Sequence, residues 1–261
     1  MGLSGFADPL LQRELYGANL PPNRMLEAYG RSFNCLEATF TREASFVEEQ
    51  AQWLVDATPN HVQIIPRFSE FISARAQIQG YETELDRWLD ANAPILRAHN
   101  RGPLYVPWMG PRTAKSESEL NELLDRLWSV LPGNHDVAVE FRDHSWYRPD
   151  VMQTLEEHQA GLVWSTLAGP FPNRITAQFL HIRLTGNHPH VYNEAATIAK
   201  ALAERPYDER RVTVASSRYY EPYGLHVLED FSQRVGEPAP MLKARQEPQS
   251  NLLQFAVASQ D

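Results

Sequence analysis

Short runs of apolar and β-branched residues alternate along this chain with longer runs whose apolar positions recur every three or four residues. Residues 3–6, 34–38, 62–65, 104–106, 136–142, 162–165, 179–185 and 211–215 read as strands. Residues 23–31, 45–58, 82–99, 116–131, 149–159, 193–204 and 223–235 read as helices. The punctuation agrees: Pro21-Pro22 precedes the first helix, Pro59 stops the second and Pro132-Gly133 closes the fourth. Pro94 predicts a kink in the third, and Ser116-x-x-Glu119 has the spacing of a capping box. Repeated strand–helix units force parallel pairing with right-handed crossovers. Eight strands in residues 1–235 predict a closed (β/α)8 TIM-type barrel in one domain. An open doubly wound sheet is the alternative. It favours a glycine-rich phosphate loop after the first strand, and Gly2-x-x-Gly5 followed by Asp8-Pro9 is too short for one. Residues 236–261 are polar and proline-bearing and read as a flexible tail.

Composition adds exclusions. Hydrophobic residues at 43% and charged residues at 22% suit a globular domain. Lys plus Arg is 24 against 33 Asp plus Glu, a net charge of -9, which disfavours wrapping duplex nucleic acid. The single cysteine, Cys35, excludes an internal disulfide and a multi-cysteine metal site. No apolar run approaches the roughly 18 residues of a membrane span, and no basic-then-apolar leader opens the sequence. The chain is therefore expected in the cytoplasm.

Strand alternation locates candidate chemistry. In the fifth strand Val137, Val139 and Phe141 share one face, so Ala138, Glu140 and Arg142 share the other. In the seventh, Leu180, Ile182 and Leu184 oppose His181, Arg183 and Thr185; in the second, Leu36 opposes Cys35 and Glu37. Apolar faces belong against helices, so Glu37, Glu140, Arg142, His181 and Arg183 converge on the barrel interior near the strand C-termini, where barrels carry function. One reading is a structural ion-pair network. The other is an anion site in which arginine forks hold phosphate or carboxylate and Glu37 or Glu140 acts as acid or base. Rim aromatics, with Trp146 and Tyr192 foremost, could stack on a sugar or base, and Ser216-Ser217 end the eighth strand, where barrels often bind phosphate. Two arginines oppose a cation, and the loop histidines His144, His188 and His190 lack a strong ligand spacing, so neither metal nor cofactor is expected.

At these residues the chain resembles the YecE-like "domain of unknown function 72" proteins. Asp136-Val-Ala-Val-Glu-Phe-Arg-Asp-His-Ser-Trp146 is similar to that family's Val-Glu-Phe-Arg-His-x-Ser-Trp signature. Phe33-Asn-Cys-Leu-Glu37, Gly2-x-Ser-Gly-Phe6 and Leu180-His-Ile-Arg-Leu-Thr-Gly186 followed by Tyr192 resemble its other motifs in the same order. The resemblance implies a TIM barrel and no assigned reaction. Several rim positions depart from the family's pattern: Thr41 for a Tyr, Pro66 for a Lys, Thr185 for a His and Ser216-Ser217 for an Asn pair. Glu37, Glu140, Arg142, Trp146 and Arg183 keep it.

Two functions follow. One is binding of, or metal-independent acid–base chemistry on, a small anionic ligand such as a sugar phosphate or nucleotide. The other is a non-catalytic adaptor associated with DNA maintenance. The latter rests on the tail, where Gln249, Leu252, Leu253 and Phe255 resemble peptides that dock on sliding clamps, although the same residues could fold back as a terminal clasp.

Overall fold

The structure is a computed structural model that describes residues 1–7, 16, 20–76, 80–133, 135–167, 173–185, 190–204, 211–216 and 223–236. Its strands are β1 (Gly2–Ser4), β2 (Cys35–Ala38), β3 (Gln63–Pro66), β4 (Leu104–Trp108), β5 (Val137–Phe141), β6 (Gly161–Leu162), β7 (Trp164–Ser165), β8 (Phe179–Leu184) and β9 (Arg211–Ser216). Its helices are α1 (Pro22–Ser32), α2 (Glu48–Ala57), α3 (Glu70–Ala76), α4 (Glu82–Arg97), α5 (Ala114–Val130), α6 (Pro149–Glu157), α7 (His190–Ala203) and α8 (Tyr223–Arg234). Single 3-10 turns span Thr39–Arg42 and His144–Trp146.

Every strand pairing is parallel. The strands form two sheets, a six-stranded one in the order β3-β2-β1-β9-β8-β7 and a three-stranded one in the order β4-β5-β6. The single closed sheet expected from the strand count is therefore not what the described residues form, and two local causes are visible. Between β3 and β4 the ladder runs from Ile64 N to Asn100 O (2.9 Å) and from Gly102 N to Ile64 O (2.7 Å). The next donor on the β3 side would be residue 66, a proline without an N–H. Contact resumes only at Phe68, whose N–H donates to Tyr105 O at 2.8 Å. The expected strand 162–165 is also interrupted at Val163, so that β6 pairs with β5 and β7 with β8.

Helix starts follow local chemistry. α5 begins at Ala114 because Thr113, not Ser116, is its cap: Thr113 Oγ1 accepts from Ser116 N (3.0 Å) and Ser116 Oγ accepts from Thr113 N (2.7 Å). At α2 the Gln50 side chain accepts from Val47 N at 3.1 Å, so the helix opens later than the apolar pattern suggests. α4 continues through Pro94.

Two apolar layers lie between sheet and helices. Leu3, Leu36, Ile64, Ile182 and Val214 pack with Leu26, Leu54, Ile198 and Phe231. Leu104, Val106, Val137 and Val139 pack with Trp88, Leu123, Leu127 and Leu155. Complete burial of each leucine contributes roughly 1.5–3 kcal/mol. The opposite strand faces form a third, inner cluster of Cys35, Ile65, Tyr105, Ala138, Val163 and Phe179. Glycine is obligatory at Gly2, where an added Cβ would stand 1.6 Å from Cys35 O.

Candidate functional site

The charged residues stand one step above that inner apolar cluster. Two residues beyond Cys35, Ile65, Ala138 and Val163 on the same parity come Glu37, Arg67, Glu140 and Ser165. β8 adds His181 and Arg183, on the parity of Phe179. Glu37, Glu140, His181 and Arg183 are 0%, 1%, 0% and 3% exposed, so charge this deep persists only if it is paired.

Arg183 is the centre of the pairing. Its Nε and Nη2 donate to the two oxygens of Glu37 at 2.8 and 3.1 Å, a bidentate fork. Its Nη1 donates to Tyr105 Oη at 2.8 Å and to both Glu140 oxygens at 3.2 Å. The guanidinium also lies over the Tyr105 ring, 4.4 Å from its centroid. Tyr105 Oη in turn donates to Glu140 Oε2 at 2.5 Å and accepts from Arg142 Nη2 at 3.0 Å. Arg142 Nε stands 2.8 Å from Glu140 Oε2, and the Arg142 side chain keeps 18% of its surface in solvent. Arg67 completes the set. Its Nη1 is 3.9 Å from Glu37 Oε1 and its Nη2 donates to Glu70. Thr41 pins the Arg67 backbone, with Oγ1 accepting from Arg67 N at 2.8 Å and donating to Arg67 O at 3.0 Å.

These contacts set the protonation states. Burial alone would raise the Glu140 carboxyl, but Arg183, then Arg142 and hydrogen bonds from Ser165 and Tyr105, bring it down to about 2. Burial likewise opposes ionisation of Glu37, and Arg183 with Arg67 outweighs it, leaving that carboxyl below the usual range. Burial works against the charge of Arg183, but Glu37, Tyr105 and Glu140 raise its pKa further. Burial pushes the Tyr105 phenol up, so it stays protonated and donates. Burial lowers His181 to about 4, so at neutral pH it is an uncharged imidazole. Its Nδ1 lies 2.8 Å from Thr213 Oγ1, while its buried Nε2 has no hydrogen-bond partner among the described residues.

The structure thus brings together Glu37, Glu140, Arg142, His181 and Arg183. Trp146 stands elsewhere. The turn His144–Trp146 tucks its ring into the helix-facing core, stacked on Phe141 at 5.0 Å with Nε1 donating to Gly110 O at 2.9 Å. Tyr192 lies on α7, partly buried against the other helix-facing core. Ser216 shares the parity of Val214, and its Oγ donates to Leu184 O at 3.3 Å. Ser217, His188 and the tail residues Gln249, Leu252, Leu253 and Phe255 lie outside the described residues. No group of three His, Cys, Asp or Glu with metal-holding geometry occurs among the described residues. Sequence reasoning missed Tyr105, Arg67 and Ser165. The signal was present in the parity of Tyr105 between Leu104 and Val106, and of Arg67 two places after Ile65.

Comparison with known proteins supplies a family without a reaction. No curated protein matches the chain. A DUF72 family protein of Thermotoga maritima MSB8 superposes with a TM-score of 0.73 at 16% identity, covering 90% of this chain and 98% of that one. A DUF72 family protein of Enterococcus faecalis V583 superposes with a TM-score of 0.69 at 17% identity, covering 90% and 94%. The sequence signature described as "Protein of unknown function DUF72" matches residues 1–251, and the chain therefore belongs to that family.

Proposed function

We propose that this protein binds a small anionic ligand at the C-terminal end of its strands, with Arg142 as the contact group. The observation that carries the reading is the exposure of Arg142: Arg67, Arg142 and Arg183 are matched in number by Glu37, Glu70 and Glu140, and of the three guanidiniums only Arg142 reaches solvent appreciably. Both Glu37 and Glu140 are ionised at neutral pH, and all four of their oxygens accept hydrogen bonds. Neither has a proton to donate at neutral pH, and a carboxylate near 2 is a weak base, so they serve as positioners of the arginines rather than as acid and base. His181, neutral and half-partnered, is the remaining candidate for proton handling. We further infer a barrel of eight staves, with β6 and β7 as one broken stave and the bridges Ile64↔Arg101 and Arg67↔Tyr105 as the seam between β3 and β4. A cytoplasmic setting suits phosphorylated metabolites as ligands.

A thermal-shift screen of the full chain against sugar phosphates, nucleotides and di- and tricarboxylates tests this. A true ligand raises the melting temperature in a concentration-dependent way. No shift across the panel would favour the second reading, in which the saturated carboxylates mark a structural network only.

A further inference from the structure

Away from the central cluster, a half-open cavity of about 150 Å³ lies between the residues following β2, helix α3 and helix α4. Its volume suits a single six-membered ring, the occupant taken up by apolar cavities of this size in other proteins. Phe46, Phe71 and Trp88 line it, and Phe71 is 56% exposed. Asn92 also lines it. The Asn92 amide Nδ2 is committed to Trp88 O (2.9 Å) and Thr41 O (3.4 Å), and because both neighbours are carbonyls the amide cannot be flipped to advantage. Its Oδ1 is buried without a hydrogen-bond partner. Of the two lining arginines, Arg42 is engaged by Glu43 at 2.9 Å and Glu70 at 3.8 Å. Arg87 is exposed and makes no ion pair among the described residues.

We propose that this cavity is a binding site for a monocyclic aromatic monocarboxylate, its ring held by Phe46, Phe71 and Trp88 and its carboxylate by Arg87. The lining also contains Glu43 and Glu84, so its two guanidiniums and two carboxylates cancel; a monoanion beside Arg87 meets less repulsion from those carboxylates than a phosphate dianion does. This site does not rest on the central one: it uses none of Glu37, Glu140, Arg142 or Arg183.

The probe is 4-fluorobenzoate, followed by 19F line broadening with the full chain, beside neutral 4-fluorobenzyl alcohol and dianionic 4-fluorophenyl phosphate. The expected order is benzoate tightest. Arg87→Gln weakens benzoate about tenfold and leaves the alcohol unchanged, as loss of one charge-assisted contact requires. Ala91→Phe, which fills the cavity from α4, abolishes binding of both, while Arg142→Met leaves both intact. If Ala91→Phe does not fold, the contrast between benzoate and alcohol in Arg87→Gln decides alone. Absence of broadening at millimolar probe, tighter binding of the phosphate, or an Arg87→Gln protein that holds benzoate as the parent does would each overturn the proposal.

Discussion

Arg183 is the side chain that touches both buried carboxylates, so its loss should leave two ionised groups short of a partner. Arg183→Met is expected to cost about 3–5 kcal/mol in urea denaturation. Arg142→Met leaves Glu140 with Arg183 and Tyr105, and a cost of about 1 kcal/mol is expected for it. Acid should act in two steps. His135 and His181 both fall from 6.5 to about 4 on folding, so the unfolded chain takes up their protons first and stability drops as pH falls from 6.5 to 4. Glu140, lowered from 4.5 to about 2, contributes stability above pH 4.5 that is lost as pH falls toward 2. Stability from urea denaturation at pH 7.5, 5.5 and 4 should therefore decline, by on the order of 5 kcal/mol in total, and most of the decline should be absent from a His135→Asn/His181→Asn double variant, which keeps only the carboxylate part below pH 4.5. Alternation alone located Glu37, Glu140, His181 and Arg183, because a charge on a strand whose other face is apolar has one place to go. Tyr105 escaped notice because its body is apolar and it sits in an unbroken apolar run. Trp146 was misassigned because a loop aromatic after a strand can turn to either side, and here a 3-10 turn sends it back onto Phe141.

The strands and helices themselves were largely legible from periodicity, with ends shifted by a few residues. The short α3 was missed because about two turns give too little periodicity to read. The start of α5 shows why ends are hard: two hydroxyl residues three apart compete for the cap, and only the reciprocal bonds between Thr113 and Ser116 decide. Thr113→Ala is expected to lower stability by about 1 kcal/mol. Glu119→Gln, which leaves that cap untouched, should cost less than half as much. Hydrogen exchange of the first-turn amides of α5 would separate the two, with faster exchange in Thr113→Ala alone.

Sheet closure was the least legible feature. Eight strand-like runs imply eight staves, but whether neighbouring staves form a continuous ladder depends on single donors, and Pro66 removes one at the seam between β3 and β4. No helix among the described residues is long and apolar enough to cross a membrane. The distribution of charge is the stronger guide to function: the chain carries a net charge of -9, yet its strand C-termini gather Arg67, Arg142 and Arg183. Glu37, Glu70 and Glu140 offset them in number, so the overall negative charge is cancelled there and Arg142 is the guanidinium left part-exposed to an anion. Titration calorimetry of the best ligand from the thermal screen, run on the parent protein and on Arg142→Met, tests this most directly. The account expects saturable binding to the parent at one site and at least tenfold weaker binding to a folded Arg142→Met protein. Equal affinity in the two proteins would contradict it.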